Sequence, residues 1–205
     1  MKKKCLFLGY NSKKTKLIKK IKKIYKNSWY LKNFSRKLEV KDIKDIDLII
    51  CFGYRHVVKK NLLKIIKAPI INLHISFLPF NKGSHPNFWS FMEGTKSGVT
   101  IHRIEEKIDK GKILFQKEIK FNLNKNKKKL TFENTYRMLK TEIENLFLKN
   151  IKNIFQNNLT GFYPNIKGTF HKKKDLPKLL ANWKQNIFKT KKIYLKTKYK
   201  TIQKH

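Results

Sequence analysis

Short apolar runs and longer amphipathic stretches alternate along this chain. Cys5-Leu6-Phe7-Leu8-Gly9 is a compact apolar run closed by glycine, the pattern of a first buried parallel strand. Leu17, Ile18, Ile21 and Ile24 recur at helical spacing with lysines on the other face. They predict a helix reaching about Tyr25, with Ser12 as its cap. Residues 27–45 show no clear period; Trp29, Tyr30 and Phe34 suit side chains that cover an edge strand. Asp47 to Gly53 reads as a second buried strand, and a helix from about Val57 to Ile66 ends at Ala68-Pro69. Pro69 to Leu73 begins a third strand. This succession predicts an α/β fold with a mostly parallel twisted sheet, flanking helices and right-handed crossovers.

Beyond Leu73 the pattern carries polar groups at the end of the buried run. Asn72 and His74 are two residues apart, so a strand places both on one face, about 7 Å apart. A loop punctuated by Pro79, Gly83 and Pro86 follows, then an aromatic-rich helical turn. Val99 to Ile104 predicts another strand, leading to the tight Ile108-Asp109-Lys110-Gly111 segment. Lys112 to Phe121 alternates and predicts a strand running back along the sheet. Residues 122–129 read as a loop. Leu130 to Gln156 predicts one long helix, with Leu139, Ile143, Leu146, Phe147, Ile151 and Phe155 on one stripe and Thr131 as cap. Gly161 to Asp175 reads as irregular, and the tail from Lys189 shows no core of its own.

At 205 residues the chain is the size of one domain with a small appendage, a principal unit over 1–160 and a short, basic, partly irregular extension over 161–205. The formal charge of +37 is open to two readings. One is a nucleic-acid or anionic-membrane partner. The other is compositional: only four of the 50 basic residues are Arg, and Ala occurs only at 68 and 181. Lysine filling neutral surface positions explains that skew, and Arg is the residue that bidentate base contacts favour. Either way the charge favours an anionic substrate. Cys5 and Cys51 lie inside apolar runs and read as small buried hydrophobes of a reducing compartment. No apolar run reaches about 18 residues, and the strand-like run after Lys4 is too short for a signal peptide. A cytoplasmic location is expected.

Asn72, His74, Ser76, Leu78, Pro79, Gly83, Gly98-Val99-Thr100, Asp109 and Gly111 stand in an order and spacing that resemble the folate-dependent formyltransferase family. The resemblance implies a Rossmann-like formyltransferase catalytic domain over 1–160, with a shortened N-terminal half. It implies 10-formyltetrahydrofolate as co-substrate and no metal. Asn72, His74 and Asp109 would be catalytic: an amide donor to an oxyanion, a proton manager, and a carboxylate that fixes the imidazole or an ordered water. Phe52, Gly53, Tyr54, His56 and Val57 would line the pterin pocket together with Asp109. Singly, each of these residues has a plainer structural reading as turn former, satisfied core group or strand-to-helix turn. His102, on the strand before Asp109, reads as a half-buried strand histidine.

Two further stretches bear on the acceptor. Pro86-Asn87-Phe88-Trp89 and Gly168-Thr169-Phe170-His171-Lys172-Lys173-Lys174-Asp175 resemble the small sugar-nucleotide N-formyltransferases. The 30 residues after Asp175 are too few for the tRNA-gripping barrel of the methionyl-tRNA branch. Ser76, Pro86, Asn87, Trp89 and His171 are therefore the expected substrate-binding residues for a nucleotide-linked amino sugar, in a route to surface polysaccharide. Core packing and a solvated lysine run are the competing readings of Phe88, Trp89 and Lys172 to Lys174. The alternatives are a formyltransferase acting on another amine, a hydrolase releasing formate, and a basic nucleic-acid-binding protein on a degenerate formyltransferase scaffold. An apolar edge near Phe115 to Phe121 would suit a homodimer.

Overall fold

The computed structural model describes residues 1–122, 130–177 and 182–202, with side chains up to Thr197. The elements in chain order are β1 (Lys3–Gly9), α1 (Leu17–Ile24), β2 (Trp29–Phe34), β3 (Leu48–Phe52), α2 (Lys60–Ile65), β4 (Ile70–His74), β5 (Lys82–Gly83) and α3 (Pro86–Glu93). They continue with β6 (Gly98–Arg103), β7 (Ile113–Glu118), α4 (Phe132–Lys149), α5 (Ile151–Phe155), β8 (Phe170–His171) and α6 (Ile187–Ile202).

Six strands form one sheet in the order β2-β1-β3-β4-β6-β7. The first four run parallel, and β6 is antiparallel to both β4 and β7. The mostly parallel α/β fold expected from the apolar runs is therefore what forms. β1, β3 and β4 are apolar on both faces because both faces are covered. On one face Phe7, Ile50, Ile71, Leu73, Val99 and Ile101 pack under α1, α4 and α5. On the other, Leu8, Ile49, Cys51 and Ile70 pack against Leu38, Val58 and Leu62. Each fully buried Leu, Ile or Phe contributes on the order of 1.5–3 kcal/mol. Among the described residues no helix is long and apolar enough to cross a membrane.

Four local expectations change. Trp29 to Phe34 does not cover an edge strand; it is the edge strand, paired in register from Lys3↔Trp29 to Leu8↔Phe34. Half-exposed Lys32 and Asn33 interrupt its apolar pattern, and Asn33 Nδ2 donates to the Phe7 and Tyr10 carbonyls. α1 starts at Leu17, well past Ser12, because Asn11 Oδ1 accepts from the N–H groups of Lys13 and Lys14 and turns the chain first. Thr15 Oγ1 then accepts from the Leu17 N–H. The single helix expected over Leu130 to Gln156 breaks at Asn150 into α4 and α5, whereas Thr131 caps α4 as expected by accepting from the Asn134 N–H.

The tail from Lys189 was expected to lack a core. It belongs instead to α6, which buries Ile187 and Thr190 and rests Tyr194 on the Trp89 cluster. The stretch expected as a loop over 122–129 lies, from 123 onward, outside the described residues.

Candidate active site

β4 carries Asn72 and His74 on the face opposite Ile71 and Leu73, as a two-residue period requires. Antiparallel β6 sets His102 directly across from Asn72 and Thr100 across from His74. The turn after β6 brings Asp109 over this face with a left-handed backbone, φ 50°. Asp109 Oδ1 lies 3.4 Å from His102 Nε2 and 3.5 Å from Asn72 Nδ2. Its other oxygen, Oδ2, accepts from the Gly83 N–H at 2.8 Å and lies 3.7 Å from His74 Nε2. The His74 and His102 rings meet edge to face, 5.9 Å between centroids.

His102 is fixed from two sides. Its Nδ1 is 2.7 Å from the Arg103 carbonyl, which only accepts, so Nδ1 carries the hydrogen. Nε2 then faces both the Asn72 amide, at 3.2 Å, and Asp109. His74 Nε2 is buried and has no hydrogen-bond partner among the described residues. An orphaned buried nitrogen beside a carboxylate at a strand end is what a site awaiting a polar ligand atom presents.

Burial raises the Asp109 carboxyl, but the His74 and His102 imidazoles and the Gly83 N–H outweigh it and hold it well below the usual carboxylate range. Burial pushes the His74 imidazole down. The Asp109 charge opposes that, and a charge on His102 adds to it. The two neighbours thus pull in opposite senses on His74, and desolvation prevails because the ring is almost fully enclosed. At neutral pH the pair is a neutral imidazole beside a carboxylate. Lys82 is also buried and pushed down by burial and by Lys110, against the pull of Asp109.

The loop between β4 and α3 is held by its own polar groups. Ser76 Oγ donates to the Phe80 carbonyl, and Thr100 Oγ1 donates to the Ser76 carbonyl. Asn81 N–H donates to Thr169 Oγ1, and Lys82 N–H to the Thr169 carbonyl. β5 and β8 pair Lys82↔Phe170 and Gly83↔His171. Gly83 has φ 87°, and a Cβ there would stand 2.3 Å from the His171 carbonyl oxygen, so glycine is required. The Gly168-to-His171 motif is thereby a brace for the loop that holds Asp109.

Of the expected substrate residues, Ser76 is buried within that loop. Pro86 opens α3 and Asn87 is buried, donating to the Phe132 carbonyl and Thr135 Oγ1. Trp89 is 5% exposed, with one face stacked on His171 at 4.0 Å. His171 Nε2 lies 3.1 Å from Glu93 Oε1. Trp89 and His171 therefore cover each other. Near the pterin-side expectation, Phe52 is buried with Tyr10 against its edge. Gly53 has φ 64° and leaves room for the Tyr10 ring, which a Cβ would strike. Tyr54 accepts from the Leu38 N–H and donates to the Arg36 carbonyl. His56 meets the Tyr54 ring edge to face, and Val57 is exposed. Gly53 to Val57 leave β3 beside the end of β4, next to the cluster.

His102, whose place in the sequence suggests only a half-buried strand residue, is 1% exposed and touches Asn72 and Asp109. His74, His102 and Asp109 also form the described donor set with metal-ligand geometry, their ligand atoms within 4.8 Å of one another.

A formyl transferase family model matches residues 11–146. The chain is 40% identical over 112 residues to the methionyl-tRNA formyltransferase of Prochlorococcus marinus subsp. pastoris, covering 54% of this chain and 33% of that one. It is 40% identical over 100 residues to the bifunctional polymyxin resistance protein ArnA of Wigglesworthia glossinidia brevipalpis, 46% of this chain and 15% of that one. The matched region is thus a third or less of either curated relative. Among solved structures, the formyltransferase PseJ from Anoxybacillus kamchatkensis, in complex with UDP-4,6-dideoxy-4-formamido-L-AltNAc and tetrahydrofolate, superposes with a TM-score of 0.79 at 33% identity. That match covers 91% of this chain and 97% of that one.

Proposed function

The chain belongs to the formyl transferase family, and from that premise we propose that it moves a formyl group from 10-formyltetrahydrofolate to the amino group of a nucleotide-linked amino sugar. The observation that carries this reading is the Asn72, His74, His102 and Asp109 cluster at the end of β4, with His74 Nε2 buried and without a hydrogen-bond partner among the described residues. The likeness to PseJ, whose structure holds a UDP-linked formamido sugar and tetrahydrofolate, supports the acceptor.

Each side chain has a distinct task in that reaction. The Asn72 amide donates to the formyl oxygen as it gains negative charge under attack by the amine. His74, neutral at working pH with its other ring nitrogen toward the Asn81 backbone, keeps Nε2 to take a proton as the tetrahedral centre forms. Asp109, ionised and anchored by the Gly83 N–H, draws the proton from the attacking amine and returns one to the departing folate nitrogen. Atoms balance: an N–C bond forms to the sugar amine, the folate N–C bond breaks, and one proton moves from nitrogen to nitrogen. Gly53, Tyr54, His56 and Val57 are proposed to flank the pterin, and no step calls for a metal.

Turnover of 10-formyltetrahydrofolate by purified protein, with UDP- and dTDP-amino sugars added singly, tests this. Tetrahydrofolate formation that depends on one amino sugar and disappears in Asn72→Ala supports it; turnover indifferent to every sugar nucleotide overturns the acceptor. The 40% identity to a methionyl-tRNA formyltransferase favours methionyl-tRNA as the second acceptor to try. The outer edge of β7 is the proposed homodimer contact, to be read by light scattering.

A further inference from the structure

The aromatic platform expected at Trp89 is closed by His171, and a different one stands open nearby. Trp183 is 39% exposed, with its ring stacked on His85 at 5.5 Å and 30° between planes. Its other contact is edge to face with Phe132, 6.2 Å away. The Trp183 backbone is anchored, since its carbonyl accepts from the Glu133 N–H in the first turn of α4. The His85 backbone is anchored too: at φ 56°, its carbonyl accepts from the Phe88 and Trp89 N–H groups, while its side chain makes no capping hydrogen bond to α3.

Position follows from the β5–β8 brace. Gly83 holds the Asp109 carboxylate and pairs with His171, and the Ser84 N–H donates to the His171 carbonyl. His85 lies two residues beyond Gly83, at most about 7 Å along the chain from the group that anchors Asp109. Across the brace, Lys172 and Lys173 follow His171 directly. The Lys172 N–H donates to Asp175 Oδ2 at 2.6 Å, closing a tight turn that places the two lysines at the same end. The Lys173 charge is near enough to add to the depression of the His85 imidazole, which burial mainly causes. A half-open tryptophan, an imidazole and a lysine pair thus gather at the end of the β5–β8 brace whose Gly83 anchors Asp109.

We propose that His85, Lys173 and Trp183 form the nucleotide subsite, with the Lys173 ammonium and a ring N–H of His85 on the diphosphate and the open face of Trp183 against the base. This rests on the sugar-nucleotide reading of the function and adds where the nucleotide is gripped. Stacking tolerates any base, because every base offers a π-face. The subsite therefore accepts UDP and dTDP alike, and the amino sugar sets specificity at the cluster.

Titration of the full chain with UDP, followed by Trp fluorescence and calorimetry with neither folate nor amino sugar present, tests the subsite apart from turnover. UDP is expected to bind and quench fluorescence. Trp183→Ala and Lys173→Ala should each weaken it on the order of tenfold, while Trp183→Phe keeps most of the affinity. Asn72→Ala should bind UDP like the wild type although its turnover is lost. Unchanged UDP affinity in both Trp183→Ala and Lys173→Ala overturns the proposal, as does displacement of UDP by equimolar inorganic pyrophosphate. Absence of UDP and dTDP binding to the wild type also overturns it. If Trp183→Ala fails to fold by circular dichroism, His85→Ala takes its place with the same expected loss. A failed acceptor reading shows separately, as folate turnover that no sugar nucleotide stimulates despite UDP binding.

Discussion

A single nitrogen, His102 Nε2, faces both Asn72 and Asp109, and that sharing has consequences for mutants. Asn72→Ala removes the amide aimed at the developing oxyanion and should lower kcat by about 10²–10³, read as initial tetrahydrofolate formation. His102→Gln should also slow turnover, although His102 reaches the reaction through Asn72 and Asp109. With Nδ1 tied to the Arg103 carbonyl, Nε2 is the ring atom that meets both Asn72 and Asp109, so the substitution loosens both. The pH profile follows from the same groups. Burial holds the His74 imidazole below its ordinary value of 6.5, so the acid limb of kcat/KM should fall below that pH. Asp109, held lower still, adds no limb near neutrality. In stability the two groups act in one sense: folded-state values depressed below the unfolded ones mean that acid costs stability, below 6.5 for His74 and below 3.8 for Asp109. A limb centred above 7 would contradict this account. Zn²⁺ should inhibit by capturing His74, His102 and Asp109, with activity restored by chelator. Asn72 and His74 were legible as a pair because their spacing is local, and Asp109, 37 residues on, only through the resemblance in the order of the motif. His102 was not, because its membership depends on the register of β6 against β4, which no local pattern states. The cover over Trp89 was hidden for the same reason: His171, which stacks on it, is far along the chain.

At the scale of elements, the buried parallel strands were legible because a run apolar on both faces has few alternatives. β2 was not, since an edge strand keeps polar residues and resembles a loop. The break at Asn150 was hidden by an apolar stripe that continues across it. Two substitutions separate capping from bracing. Thr131→Ala removes the α4 cap and should cost about 1 kcal/mol in urea unfolding, with kcat nearly unchanged. Gly83→Ala forces a Cβ against the His171 carbonyl at positive φ. It should cost about 1–3 kcal/mol and also lower kcat, since the same residue anchors Asp109. Equal kcat in both variants would mean that the β5–β8 brace does not position the carboxylate.

For the whole molecule, the charge of +37 acts over distances longer than any contact. A field of that sign should draw in anionic substrates, so kcat/KM for a sugar nucleotide should fall several-fold with added salt while kcat stays nearly constant. Stopped-flow or steady-state rates across a salt series would show it. The brace between β5 and β8 also orders events in time. Asn72, His74, His102 and Asp109 emerge from the ribosome well before His171, yet the loop that fixes Asp109 is completed only by residues 168–171. A nascent chain halted after β7 therefore owns every reacting group and still lacks the strand that tensions them. Competence arrives late in synthesis, after the sheet, and regained activity should lag regained circular dichroism whenever the protein is refolded from urea.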